Sequence, residues 1–143
     1  MPRFDPREQV GALYAAMTRG DGAFLLDALA EDVEWCEPPG GAAPFGGTYR
    51  GRQAVGKFFE ALGAAVEEEA FAVREILAEG QVVMATGHYR HRVKRTGTSY
   101  QTDWVMVWRF SGEKVRRFEI YKDSATESSA LTGLTGRIGL SNP

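Results

Sequence analysis

Apolar residues recur at helical spacing in the first part of the chain and alternate with polar ones in the rest. Val10, Leu13, Tyr14 and Met17 stand at i, i+3, i+4 and i+7, the stripe of an amphipathic helix. Asp5, Pro6 and Glu8 supply a cap, a first-turn proline and a capping-box partner, and Gly20 stops the helix. Asp21 then caps a short second helix carrying Phe24, Leu25, Ala28 and Leu29. Val33 to Glu37 reads as a short strand onto which Thr48 and Tyr49 can pair back. The PPGGAAPFGG stretch between them is too rich in proline and glycine for either regular structure, and is a plain connection or a mobile flap. Val55, Phe58, Phe59 and Leu62 mark a third and more hydrophobic helix.

From Glu68 onward the pattern is that of strands. Glu68–Ala78 turns at Glu79-Gly80 into Gln81–Lys94, which turns near Thr96-Gly97-Thr98 into a hairpin spanning Tyr100–Asp123. On the first hairpin strand Tyr100, Thr102, Trp104, Met106, Trp108 and Phe110 share one face; Gln101, Asp103, Val105, Val107 and Arg109 share the other. The aromatic face is expected to floor the core and, at one end, a small-molecule pocket. Helices first and a meander last argue an α+β fold. The expected form is a cone-shaped, curved antiparallel sheet packed against three N-terminal helices.

The length of 143 residues fits one domain, read as 1–125, followed by a Ser/Thr/Gly-rich segment over 126–143 that is a loose tail or a strap across an edge or the pocket mouth. A net charge of −2 indicates no broad attraction to nucleic acid or an anionic membrane. The basic run at His88, Arg90, His91, Arg92, Lys94 and Arg95 reads as a solvated strand tip, its other reading being a functional anion site. No apolar run approaches the about 18 residues of a membrane span, and the N-terminus lacks the apolar core of a signal peptide. The single Cys36 suits a reducing cytoplasm and reads as a small buried hydrophobe. His88 and His91 fall on opposite strand faces, and no cluster has metal-ligand spacing, so no metal is expected. No cofactor is expected either, because the glycine-rich loop carries neither a phosphate-loop lysine nor a dinucleotide fingerprint.

The segments LYAAMTRGD, LAEDVEW, FGGTYRGRQAVGKFF, ILAEGQVV, TDWVMVWRFSGEKV and RRFEIYKDSA, taken in order over about residues 8–125, resemble the SnoaL-like polyketide cyclase group of the nuclear transport factor 2-like, or ketosteroid isomerase-like, superfamily. The resemblance implies a cone-shaped (cystatin-like) α+β barrel with a deep, largely apolar pocket between sheet and helices. It also implies a homodimer through the outer sheet face, where Val105 and Val107 need cover. One scaffold hosts isomerases, cyclases, dehydratases and non-enzymatic binders, so the activity is argued from residues. Expected to line the pocket are Leu13, Tyr14, Met17, Trp35, Tyr49, Phe58, Trp104, Met106, Trp108 and Glu119.

By the same resemblance, Glu37 falls where ketosteroid isomerases carry a carboxylate base; its other reading is a solvated strand-end glutamate. Walled by aromatics, its charged form would be desolvated and its pKa raised toward a useful value. The isomerase oxyanion donors, a tyrosine and a protonated aspartic acid, fall here on Leu13, with Tyr14 one residue along, and on Met106. Methionine cannot donate that hydrogen bond, which argues against steroid isomerisation by that route. Asp123, in its Tyr-Lys-Asp-Ser setting, matches the acid/base aspartate of SnoaL-like cyclases; its other reading is a cap on the turn that follows. Glu119 and Tyr121 share its strand parity, while Phe118 and Ile120 form the opposite, apolar face. If the apolar face points inward, Glu119 and Tyr121 belong to the outer surface; the resemblance favours Asp123 in the cavity. His88 or Tyr121 is the candidate donor, and His88 also reads as an ordinary strand histidine. The expectation is a small-molecule pocket protein for an apolar ligand. It is a cofactor-free cyclase, isomerase or dehydratase for a polyketide- or enone-like substrate, or a non-catalytic binder; the third reading is a structural dimerisation module with a filled core.

Overall fold

The computed structural model describes residues 3–38 and 45–132. Helix α1 (Pro6–Thr18) and the short α2 (Gly22–Asp27) lead into strands β1 (Leu29–Glu37) and β2 (Gly47–Arg50). Helix α3 (Arg52–Ala65) follows, then β3 (Val66–Glu79), β4 (Val82–Val93), β5 (Ser99–Ser111) and β6 (Lys114–Lys122), and finally α4 (Ser124–Thr132). The helix starts are built as their residues suggest. Asp5 accepts from the Arg7 N–H at 3.0 Å, and Asp21 accepts from the Phe24 N–H at 3.1 Å. Gly51 takes φ 88° between β2 and α3, a conformation that costs glycine little and other residues more.

The six strands form one sheet in the order β2-β1-β6-β5-β4-β3. One feature departs from an all-antiparallel sheet: β1 runs parallel to β6, with Trp35 beside Phe118 and Cys36 beside Glu119. No hairpin joins these two strands, so nothing local forces them to oppose each other. The ladder also draws β1 back to Leu29, which pairs with Val115, four residues before the expected start. The β3 edge is short of apolar cover and rich in glutamate, as exposed edges are. Register irregularities in β3 at Glu68/Ala70 and Val73/Glu75 add local bends to the sheet. At the Gly87–Trp104 pair the indole lies against bare backbone. A Cβ on Gly87 would stand 2.1 Å from the Ala72 carbonyl oxygen and 2.4 Å from a Trp104 ring carbon.

The concave face carries the core. Tyr100, Thr102, Trp104, Met106, Trp108 and Phe110 are all buried. In β6 the apolar face is the inner one: Val115, Phe118 and Ile120 are buried, and Phe118 stacks on Trp35 at 3.8 Å between centroids. Glu119 and Tyr121 therefore point outward. On that outer face Arg109 pairs with Glu119 at 2.9 Å and Arg117 with Glu34 at 2.5 Å.

The chain beyond Asp123 does not begin as a loose tail. Ser124–Thr132 forms α4, packed against β5. Asp123 starts it, accepting from the Thr126 N–H at 3.0 Å and the Thr126 hydroxyl at 2.6 Å. The strap reading for 133–143 and most of the flap reading for the glycine-rich loop (39–44) lie outside the described residues.

Candidate functional site

A cavity of about 740 Å³ lies between the concave face and helices α2 and α3. That is the size of a small-molecule site. Trp35 and Phe118 from the sheet, Phe58 and Phe59 from α3, and Phe71 and Met106 from β3 and β5 form its apolar walls.

At one end the lining turns polar. Glu37 ends β1, Lys122 ends β6, and Glu127 comes from the first turn of α4. The Lys122 ammonium lies 3.1 Å from Glu37 Oε1 and 3.0 Å from Glu127 Oε1. The Trp35 indole N–H donates to Glu37 Oε2 at 3.1 Å. Glu127 Oε2 accepts from Tyr89 at 3.1 Å, from Tyr100 at 2.9 Å and from Lys122 at 3.2 Å. His91 Nδ1 is 3.2 Å from the Tyr100 oxygen. Because Tyr100 spends its proton on Glu127, hydrogen-bond accounting makes Nδ1–H the donor there.

Two carboxylates and one ammonium, each side chain 7 % exposed or less, would carry a net charge of −1. Burial pushes the Glu37 carboxyl above its ordinary value; Lys122 and the Trp35 N–H pull it down, and the Glu127 charge adds to the rise. For Lys122 burial disfavours the ammonium, yet the two carboxylates outweigh it and hold the group above the usual lysine range. Lys122 is thus a fixed cation and not an amine nucleophile. Burial drives His91 down to about 4, against the pull of Glu127, so its ring is neutral near pH 7.

Of the expected residues, the structure places Glu37, Met17, Trp35, Phe58 and Met106 on the cavity. Leu13, Tyr14, Trp104 and Trp108 are buried in the core and do not line the cavity, and Tyr49 packs on Phe58 with ring centroids 4.9 Å apart. Tyr14 is committed there: its oxygen accepts from the Trp108 indole at 2.9 Å and donates to Met106 Sδ at 3.3 Å. Three of the four acid/base candidates stand away from the cavity. Asp123 is exposed, and the hydroxyl and N–H of Thr126 hold its carboxyl below the ordinary range. Tyr121 is 57 % exposed on the outer face, donating to Glu119 at 3.2 Å. Glu119 faces the same way. His88 also lies on the outer side, 3.3 Å from Arg74. The cause is common to β6: Phe118 and Ile120 take the inward parity, so Glu119, Tyr121 and Asp123 lose it.

Lys122, Glu127 and Tyr89 are the residues that sequence reasoning missed; Tyr100 stands on the inward face of β5 as expected, whereas His91, read as part of a solvated strand tip, is buried and lines the cavity. Lys122 had a signal, since it shares the parity of Phe118 and Ile120. Tyr89 and His91 share the buried parity of Val83, Ala85 and Val93. Glu127 had none, sitting in a serine-rich segment. Among the described residues, no group of three His, Cys, Asp or Glu is placed to hold a metal ion, and no helix is long and apolar enough to cross a membrane.

The SnoaL-like domain model matches residues 10–118. The chain belongs to the SnoaL-like domain family. Solved structures similar to this SnoaL-like domain include an NTF2-like protein of unknown function from Burkholderia pseudomallei K96243. It is 30 % identical over 90 % of this chain and 98 % of that one, with a TM-score of 0.81. An NTF2-like protein from Burkholderia xenovorans LB400 is 33 % identical over 91 % of this chain and 95 % of that one, with a TM-score of 0.75. TerC, co-crystallised with polyporic acid, is 26 % identical over 90 % of this chain and 99 % of that one, with a TM-score of 0.80. No curated protein matches the chain. In this SnoaL-like domain the buried Glu37–Lys122–Glu127 cluster sets a desolvated carboxyl beside a fixed positive charge, at the end of an apolar chamber.

Proposed function

We propose that the protein binds a small, largely apolar carbonyl compound in this cavity and rearranges it by proton transfer, as a cofactor-free cyclase or isomerase. The observation that carries this reading is the position of Glu37: a desolvated carboxyl, buttressed by Lys122 and Trp35, at the polar end of an aromatic-walled chamber. As a carboxylate, Glu37 takes a proton from the carbon next to the substrate carbonyl. The electron pair moves onto the carbonyl oxygen as an enolate, and the net charge of the site is unchanged. Glu37 then returns the proton, either to another carbon, which shifts a double bond, or to the oxygen formed when the enolate carbon closes a ring. Protonation of Glu37 releases the Lys122 ammonium from one of its two carboxylates, and that charge then offsets the enolate. TerC, crystallised with polyporic acid, supports a small-molecule role for this scaffold.

Solvent deuterium exchange tests the reading without knowing the substrate. A panel of cyclic enones and 1,3-dicarbonyl compounds is incubated in D₂O with wild type and with Glu37→Gln, and α-proton loss is read by NMR. Wild type is expected to exchange at least one member, with the variant about 10²–10⁴-fold slower and still able to bind it. Equal rates in both proteins would remove Glu37 from the mechanism. Binding without exchange in wild type would support a non-catalytic ligand-binding protein. The reading includes a homodimer through the outer sheet face, where Met84, Val105 and Tyr121 stand exposed; a monomer by light scattering at micromolar concentration would count against it.

A further inference from the structure

We infer that this cavity selects ligands by charge, admitting uncharged carbonyl compounds and amine-bearing ones while rejecting the matching carboxylates. The inference rests on the cavity being the ligand site, and it goes beyond that by fixing the electrostatic class of the ligand.

Charged side chains on the lining are unevenly distributed. Asp21, Glu37, Glu60, Glu68 and Glu127 all contribute to it, whereas Lys122 is the one lysine or arginine among the described lining residues. Lys122 is already engaged by two carboxylates, at 3.1 and 3.0 Å. His91, the remaining basic group there, is held neutral by burial. Among the described residues no cation is left to receive an anionic ligand at the inner end.

The mouth adds to this. Arg19 at 3.1 Å offsets Asp21. Glu60 from α3 and Glu68 from β3 are exposed and have no ion pair among the described residues. Glu68 shares the inward parity of Val66 at the start of β3, and partial burial pushes its carboxyl up. An anion entering past Glu60 and Glu68 meets like charge at the mouth and an already satisfied ammonium at the end. A neutral ketone meets neither penalty, and an ammonium group gains at the mouth.

Calorimetric titration with three probes on one skeleton reads the selectivity: 2-acetylnaphthalene, 2-(aminomethyl)naphthalene and 2-naphthoate, at pH 7.5 and two salt concentrations. The ketone and the amine are expected to bind wild type about tenfold or more tightly than the carboxylate. The gap should narrow at high salt. In Glu60→Gln/Glu68→Gln, two exposed positions whose change leaves the core intact, naphthoate affinity should rise, amine affinity fall and ketone affinity hold. Naphthoate binding as tightly as the ketone would overturn the charge selection and leave the ligand site standing. If none of the three binds, the cavity is not the ligand site, and the inference falls with that reading.

Discussion

Lys122→Met keeps an unbranched apolar stem of similar length and removes only the ammonium. Glu37 and Glu127, 6 % and 5 % exposed, are then left without their shared cation. Breaking a buried ion pair from one side costs about 3–5 kcal/mol, a large part of the roughly 5–15 kcal/mol that holds a domain of ordinary size. At a urea dependence of about 2 kcal/mol per molar, the unfolding midpoint should fall by about 1.5–2.5 M.

The loss should depend on pH in a definite direction. Without the ammonium, the folded state favours a protonated Glu37 more strongly. Above about pH 4.5 the unfolded chain has released that proton, so the variant loses stability as pH rises, by up to about 1.4 kcal/mol per unit. In wild type, Glu37 already has a raised value, so a milder decline begins at its ordinary value of 4.5. The Lys122 contribution is complete below its ordinary 10.5 and is lost only as pH climbs through its raised folded value. The gap between the proteins should therefore widen from pH 5 to pH 8. Urea titrations at both pH values measure it, with Lys122→Met/Glu37→Gln/Glu127→Gln recovering most of the loss. A single variant within about 1 kcal/mol of wild type at pH 8, with a parallel pH curve, would refute the reasoning, since that is the scale of an exposed pair.

Other substitutions probe particular contacts. Gly87→Ala forces a methyl against the Ala72 carbonyl and the Trp104 ring; it should cost at least the about 1–3 kcal/mol of overpacking, read as a lower melting temperature. Tyr14→Phe leaves the buried Trp108 N–H without its acceptor and should cost about 1–3 kcal/mol in urea unfolding. Its α-proton exchange should match wild type, because the Tyr14 hydroxyl does not line the cavity. Asp123→Ala removes the α4 cap and should cost about 1 kcal/mol, with exchange close to wild type; a collapse of exchange to the Glu37→Gln level would return Asp123 to the site.

Much of the scaffold was legible because it is written in periodicity. The i, i+3, i+4 stripes gave the first three helices, and strict alternation gave the inward face of β5. The parallel β1–β6 pair was not legible, because register between strands far apart in sequence has no local marker. The β6 face shows how the site itself was half readable. Its apolar parity pointed inward all along and carries Lys122 with it, whereas resemblance favoured Asp123, one residue out of phase. Glu127 was hidden for another reason: a helix of serine, threonine and alanine gives no amphipathic signal, and its one buried carboxylate makes sense only beside Lys122 and the two tyrosines of β4 and β5.

Proton transfer within the cavity requires Glu37 to be a desolvated carboxyl, and its ionisation can be followed directly. Protein labelled with ¹³C at the glutamate side-chain carboxyl is titrated by NMR, and Glu37 is assigned by the resonance missing from Glu37→Gln. A midpoint above the ordinary glutamate value of 4.5 is expected, falling toward it when solvent is let in by Phe58→Ala on the cavity wall. A midpoint at or below 4.5 in wild type would contradict the proton-transfer role of Glu37.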